Sequence, residues 1–593
     1  MFKKLIRKAT EASERPNLAF LLKRRNFFIR LAAVIASGLM VTFSIPPLNW
    51  SFLAFFALVP LFLAIYDRKP WVSFGYCFVF GLTWGFTSFY WLREIEPAIP
   101  YLIAFPLAAH PAVWALCVPF LTRHILNTPA NLLKGENEAV PLAPSRLQWR
   151  KLLLAAVLAA GWCLIEWARS WVLPWNYLST AMWRTVPLIQ ICRFTGTYGI
   201  SFLLVFFNIC FAFYLIAPKY NPKTRKFIYP RPLILAGLLI ILCYAEGITH
   251  VLRQKHNTGQ VVRFNAGLVQ GDISQRRSAN IGQAQEALDV YSELTAKLLE
   301  SSPAPHIVIW PETAVPYPFR SDNPVSNAFR YRIAQMIRKY KVPFLIGTID
   351  FEDLLPGADY HKQKTYNSAF LLDSDSRLAH VYSKVQRVPW GEYVPFRNFL
   401  PAWVIRIIDM DRDLTPGTSL DPVPLLPGVR AGISICFESV FPYVSRGEAH
   451  RGANLLVVIS NDAWYPTSSE PAQHLANAVF RSVETGLPQL RCGNNSTGCL
   501  IEPSGYISDC LFKERDEKTG LLLPQPVQRG RTAGVIPVKV QEEPDYAPFV
   551  RYGNVFIIFC WLLVLGGFAM AFSNWETVKS GRLAMFIKNK RNK

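Results

Sequence analysis

Charged residues are scarce in this 593-residue chain: 18% are Asp, Glu, Lys or Arg, against 51% hydrophobic and 14% aromatic. That poverty excludes an ordinary soluble enzyme and calls for several membrane spans beside at least one folded domain. Acidic residues are the scarcer sign, 41 against 63 basic, leaving a net charge of +22. No nucleic-acid-binding motif accompanies the surplus, which gathers in short segments beside apolar runs, so no nucleic-acid partner is expected. The eleven Cys residues form no CxxC pair and no Cys/His cluster of zinc-ligand spacing. Neither a metal nor a cofactor is expected. Two of Cys492, Cys499 and Cys510 could pair if their domain is extracytoplasmic, and the sequence does not choose which. A cleavable signal pattern, internal repeats and long low-complexity linkers are also missing, so the first span is expected to be retained.

What is abundant is apolar sequence. Runs long enough to span hydrocarbon occur near 27–47, 51–66, 71–92, 99–122, 152–173, 198–217, 232–252 and 553–573. The second is short, and Pro46-Pro47 makes a tight turn before it. Basic residues alternate along this series. Lys3, Lys4, Arg7, Lys8, Lys23, Arg24 and Arg25 precede the first run; Arg68 and Lys69, then Arg123, Lys134, Arg146, Arg150 and Lys151, then Lys219, Lys223, Arg225, Lys226 and Arg231 mark every second connection. The tail adds Lys579, Arg582, Lys588, Lys590, Arg591 and Lys593. With these ends inside, about eight helices result and the segment from about 253 to 548 lies outside. Glu166 and Arg169 fall within an otherwise mostly apolar run, either as an ion pair near a helix end or as the wall of a cavity.

From Val261 the periodicity changes. Short apolar strands alternate with helices: Val261–Gln270, a helix near 280–301, His306–Trp310, a helix near 323–341, Pro343–Ile349, Ser368–Leu372, Ala379–Tyr382, Ala431–Cys436, Leu455–Ser460 and a helix near 470–486. Continuous apolar runs of this length read as strands buried on both faces. They predict an extracytoplasmic α/β sandwich inserted in a polytopic bundle: a transmembrane part over 1–252, a catalytic domain over 253–548, and a last helix with a basic tail over 549–593. The 124–150 loop reads as polar and flexible.

Three residues in this domain can make one site. Glu312 ends Ile307-Val-Ile-Trp-Pro-Glu312, Lys384 ends Tyr382-Ser-Lys384, and Cys436 follows the apolar Gly432-Ile-Ser-Ile. A thiol must lose its proton to attack a carbonyl, and a neighbouring carboxylate can take it, so Glu312 is the candidate general base. Lys384, with a backbone N–H near Phe437, can stabilise the oxyanion that forms, and its charge lowers the thiol pKa. The apolar strand before Cys436 and Phe-Glu-Ser after it predict a strand-to-helix elbow that exposes the sulfur. Singly, each residue has a bland reading as a buried Cys, a helix-capping Glu or a surface Lys; together and in order they point to a site.

The order Glu, Lys, Cys resembles the nitrilase (carbon–nitrogen hydrolase) superfamily. With the spans it resembles one family of that superfamily, the integral-membrane apolipoprotein N-acyltransferases. The matching segments are Leu268-Val-Gln-Gly271, Trp310-Pro-Glu312-Thr-Ala, Tyr366-Asn367-Ser and Val388-Pro-Trp-Gly-Glu392-Tyr-Val-Pro. Beyond Ile435-Cys436-Phe-Glu438 come Ser460-Asn461-Asp-Ala-Trp464, Gln473-His474, Arg481-Ser-Val-Glu484-Thr-Gly and Asn494-Asn495-Ser-Thr-Gly498. The resemblance implies a nitrilase-like αββα domain and a ping-pong reaction. An acyl chain passes from a membrane phospholipid to Cys436 as a thioester, then to the α-amino group of an S-diacylglyceryl cysteine on an apolipoprotein acceptor. It also implies Glu312, Lys384 and Cys436 as base, oxyanion stabiliser and nucleophile, with Glu392, Glu438, Asn367 and Phe437 in support. A monomer in the bacterial inner membrane, its catalytic domain facing the periplasm, is implied too. Phe437 departs from the Tyr common there, as do Gln275-Arg-Arg-Ser-Ala, where an aromatic lid residue is expected, and the long 124–150 loop.

Two other readings compete. A membrane-anchored nitrilase-type amidase needs only one or two spans as an anchor, and eight argue against it. A non-enzymatic binding module on a transporter-like bundle has no use for the triad.

Overall fold

A computed structural model describes residues 27–591 apart from 128–143, 217–219, 222–225, 228, 255–258, 275–280, 353–362, 402–411, 466 and 517–521. Most of the expected 124–150 loop, and the basic part of Gln275-Arg-Arg-Ser-Ala, lie outside the described residues. The chain forms two compact units, 1–249 with 554–593, and 250–553.

The first unit is helical. α1 (Phe27–Ser44), α2 (Val59–Ile65), α3 (Pro70–Ser88), α4 (Ile99–Leu126), α5 (Pro144–Arg169), α6 (Tyr198–Ile216) and α7 (Arg231–Gln254) follow one another. Among the described residues six helices are long and apolar enough to cross a membrane: α1, α4, α5, α6, α7 and a final helix from Val555. The expected run 71–92 is α3, 19 residues in which Ser, Thr, Tyr and Gly dilute the apolar content. The expected run 51–66 is not one helix but a 3₁₀ turn at Ser51–Phe55 and the short α2. Such a break exposes backbone polar groups that hydrocarbon cannot satisfy, so side chains must do it. Asn208 of α6 accepts from Leu58 N at 2.9 Å and donates to Ala54 O at 2.9 Å.

Glu166 and Arg169 do not pair with each other. Glu166 Oε1 accepts from Trp162 Nε1 at 3.1 Å and Leu178 N at 2.9 Å, while Arg169 donates to Trp175 O at 2.6 Å and stacks on Trp84 and Tyr177. Both line one small cavity with His110 and Asn176. The ion-pair expectation fails because α5 ends at Arg169, and the turn that follows offers Arg169 carbonyls nearer than the carboxylate.

The second unit runs β1 (Val261–Gln270), α8 (Ile281–Leu299), β2 (Ile307–Ile309), α9 (Pro324–Tyr340), β3 (Phe344–Phe351), β4 (Thr365–Leu372), β5 (Leu378–Ser383), β6 (Val423–Leu426), β7 (Val429–Ile435), α10 (Pro442–His450), β8 (Leu455–Ser460), α11 (Glu470–Thr485), β9 (Gln489–Gly493), β10 (Cys499–Ile501), β11 (Ile507–Cys510) and β12 (Thr532–Gln541). Two six-stranded sheets result, ordered β12-β1-β2-β3-β4-β5 and β11-β10-β9-β8-β7-β6. The pleat sends alternate residues to opposite faces. Leu268, Ile309 and Leu345 meet Ile433, Ile435, Val457 and Ile459 between the sheets. The next residues along, Val269, Val308, Phe344 and Ile346, turn outward onto Tyr291, Phe329 and Ile333 of α8 and α9. Because both faces are covered, these strands carry no polar alternation, which is why they read as unbroken apolar runs. This is an α/β sandwich. β12 pairs antiparallel with β1 along its whole length, from Thr532 opposite Gln270 to Gln541 opposite Val261.

All eleven cysteines are free thiols. Cys499 and Cys510 face each other across β10 and β11, while Cys492 lies against the Val269 and Ile309 carbonyls.

Candidate active site

The carboxyl ends of β2, β5 and β7 bring the three expected residues together. Glu312 follows β2 in a turn fixed by Trp310, whose backbone N–H donates to Leu345 O at 2.8 Å and whose indole donates to Thr295 at 3.0 Å. Gly347 on β3 makes room for that turn, since a Cβ there would overlap the Pro311 carbonyl and stand 2.6 Å from Glu312 Cα. Lys384 follows β5 and is tied by its backbone N–H to Asn367 O at 2.8 Å. Cys436 follows β7 at φ 54°, a left-handed conformation that costs a non-glycine residue about 1–3 kcal/mol and here turns the strand into the short helix Cys436–Val440. The expected elbow is present.

Four polar groups then interlock. Lys384 Nζ donates to Glu392 Oε1 at 2.8 Å and lies 3.6 Å from Glu312 Oε1. Asn367 Nδ2 donates to Glu312 at 2.7 Å and to Glu392 at 3.0 Å. The second Glu392 oxygen accepts from Val388 N at 2.8 Å. The Cys436 thiol lies beside the Glu312 carboxylate, close enough to shift its pKa. Glu392 is thus the counter-ion that fixes Lys384, and Asn367 holds the two carboxylates apart on one amide.

Glu438 stands on the other side of the elbow and is fully buried. It accepts from Ile435 N (2.7 Å), Val385 N (2.6 Å), Gln386 N (2.8 Å) and the Tyr382 hydroxyl (3.0 Å). One side chain therefore staples the backbone before Cys436 to the backbone after Lys384. Phe437 is half-buried and meets the Phe441 ring edge-to-face at 5.0 Å.

Burial dominates the electrostatics. It raises the Glu312 carboxyl above the ordinary carboxylate range, against the pull of Lys384. It pushes Glu438 up to about 7 despite Lys384 and the backbone donors. Burial alone would lower Lys384, but Glu392 and Glu312 outweigh it and hold the ammonium charged. The Cys436 thiol lies well above the usual thiol range, raised first by burial and then by Glu312. Lys384 pulls it down as expected, but the other two effects win. The resting sulfur is protonated beside a carboxylate whose basicity burial has increased, so proton transfer accompanies attack on the carbonyl.

Sequence reasoning gave no role to a second polar group behind the nucleophile. Asp462, His474, Ser439 and Arg491 are all buried within reach of one another. His474 Nδ1 is 3.1 Å from Asp462 Oδ1, and Nε2 is 3.1 Å from Cys436 O and 2.9 Å from Ser439 Oγ. The Ser460–Trp464 and Gln473-His474 segments were among those that carry the resemblance, but the resemblance gave neither Asp462 nor His474 a role.

A half-buried thiol beside a buried carboxylate and a buried ammonium, on an α/β sandwich, is the arrangement of a carbon–nitrogen hydrolase domain. The carbon–nitrogen hydrolase family model matches residues 265–522, and the model for the apolipoprotein N-acyltransferase N-terminal domain matches 37–210. Both domains stand in one chain, and over most of its length it is similar to proteins named apolipoprotein N-acyltransferase. It is 29% identical over 562 residues to the apolipoprotein N-acyltransferase of Geobacter metallireducens, covering 93% of this chain and 95% of that one. To the one from Brucella suis it is 29% identical over 524 residues, covering 84% and 90%. Among solved structures, a nitrilase-superfamily amidase from Nesterenkonia AN1 covers 50% of this chain and 97% of its own, at 17% identity and a TM-score of 0.32.

Proposed function

We propose that this acyltransferase moves a fatty acyl chain from a membrane phospholipid to the α-amino group of an apolipoprotein's S-diacylglyceryl cysteine. What supports it above all is the Glu312–Lys384–Cys436 cluster in a chain whose similarity to apolipoprotein N-acyltransferases runs through both the helical and the catalytic units. The amidase alternative accounts only for the second unit.

Glu312 takes the Cys436 proton as the sulfur adds to the ester carbonyl carbon of the phospholipid. The oxyanion forms beside Lys384 and the Phe437 backbone N–H, donors already oriented before charge develops. Collapse breaks the ester C–O bond; Glu312 returns the proton to the departing glyceryl oxygen, and lysophospholipid leaves. The acceptor amine then attacks the thioester and Glu312 receives its proton. The C–S bond breaks, the amide forms and the thiol is restored. Neither half-reaction needs a cofactor. A monomer in the bacterial inner membrane, with residues 253–548 on the outer side, fits two lipid-anchored substrates.

The purified protein incubated with phospholipid and no acceptor should gain one fatty-acyl mass on Cys436, removable by hydroxylamine. An unmodified Cys436 under those conditions would overturn the reading.

A further inference from the structure

The catalytic cluster accounts for the sulfur, its base and its cation, but not for what keeps Cys436 at a strained φ. Glu438 holds the end of the strand before it, through Ile435 N. The peptide after it is held from a different element. On α11, His474 is 1% exposed and sits with Nε2 3.1 Å from Cys436 O, while Ser439 Oγ donates to that carbonyl at 2.9 Å. Asp462, also 1% exposed, lies 3.1 Å from the far ring nitrogen; a ring that donates to the carbonyl through Nε2 and to Asp462 through Nδ1 is the imidazolium, which Asp462 favours and burial opposes. Arg481, one helical stretch further along α11, donates to Val440 O at 2.6 Å, so the same helix grips both ends of the elbow.

A peptide unit is planar and trans, so its C=O and N–H point in opposite directions. Gripping the Cys436 carbonyl from the α11 side therefore turns the Phe437 N–H of the same peptide away from α11. We propose that the buried Asp462–His474 pair is a positioning device that fixes the Cys436–Phe437 peptide, aiming the Phe437 N–H at the forming oxyanion and the sulfur at the carbonyl carbon.

The same groups with Glu470 bring three donor atoms within 4.8 Å of one another, a spacing a metal ion could use. The hydrogen-bonded reading fits better, because buried Arg491, 3.4 Å from Ser439 Oγ, already supplies a cation beside Asp462 and Glu470.

The inference rests on the acyl-transfer reading for its kinetic arm only. His474→Leu, which keeps the volume and removes the polar atoms, should lower kcat about a hundredfold with KM for the phospholipid within about twofold, as a misplaced reacting group does. His474→Gln, whose amide can replace Nε2 at the carbonyl, should recover most of that loss, and Asp462→Asn should fall between them. The rate at which iodoacetamide alkylates Cys436 should follow the same order, at an unchanged thermal midpoint. Wild-type kcat in His474→Leu, or equal losses in the Leu and Gln variants, would overturn the proposal. If His474→Leu does not fold, Asp462→Asn at wild-type rate would do so. Should wild type form no acyl adduct at all, the acyl-transfer reading fails, and the alkylation order still decides the positioning role.

Discussion

At Cys436 a thiol is held protonated by the burial that also makes its neighbour Glu312 a stronger base. The pH–rate profile follows from those two directions. Glu312 must be ionised to act, so the acylation rate should fall as pH drops through its pKa, on an acid limb displaced above the ordinary carboxylate range. Glu312→Gln should abolish that limb and slow acylation about 10²–10⁴-fold at neutral pH. Its residual rate should keep climbing into the alkaline range, because burial still holds the thiol above the usual thiol range and the thiolate then forms unaided. Lys384→Met should lose about 10²–10³-fold with no recovery at any pH, since no hydroxide replaces a cation at the oxyanion. Stopped-flow acylation from pH 5 to 10 measures all three, and a shared high-pH rescue would refute the division of roles. These three residues were legible from sequence because each closes a short apolar run with a group out of character there. Asp462 and His474 were not: each is an ordinary residue on its own element, and only the fold brings them 3.1 Å apart behind the nucleophile.

Among the elements, β3 has the tightest hold on the chemistry. Gly347 lies under the turn that carries Glu312, so Gly347→Ala should push the carboxylate off the thiol. Overpacking of this kind costs about 1–3 kcal/mol. We expect a lowered thermal midpoint together with a drop in kcat that KM does not share. A drop in midpoint with full kcat would mean that the turn moves without disturbing Glu312. The strands buried along their whole length, β2 and β8, were plain in the sequence, because a sheet sandwiched between helices and a second sheet leaves almost no position for a polar residue. β12 escaped notice: Lys539 and Pro537 interrupt its apolar pattern, as an edge strand permits. β10 and β11 were missed for brevity, at three and four residues. In the helical unit hydropathy merged the 3₁₀ turn and α2 into one run, since composition does not register a backbone break that Asn208 satisfies from elsewhere in the chain.

For the whole molecule, the proposal drawn from the distribution of Lys and Arg is that the catalytic unit lies outside and the 68–69 connection inside. A single reporter cysteine at Asp322, whose side chain is 99% exposed, should react with an impermeant maleimide in intact spheroplasts. One at Lys69, also exposed, should react only after lysis. The reverse pattern would overturn the orientation and the outer-leaflet acceptor with it.

The pairing of β1 with β12 gives the protein a history as well as a shape. β1 is the first strand of the catalytic unit to leave the ribosome and β12 the last, and each is the other's partner along its full length. Until Thr532–Gln541 has been made, β1 presents a bare row of N–H and C=O groups, a template for pairing with another chain. Loop-closure entropy delays the final pairing further, because the two strands are nearly the whole unit apart in sequence. The nascent chain is therefore most exposed to aggregation between the synthesis of Val261 and that of Gln541, and a ribosome stalled short of β12 would carry a site whose three key residues are all made but whose sheet is still open at its edge.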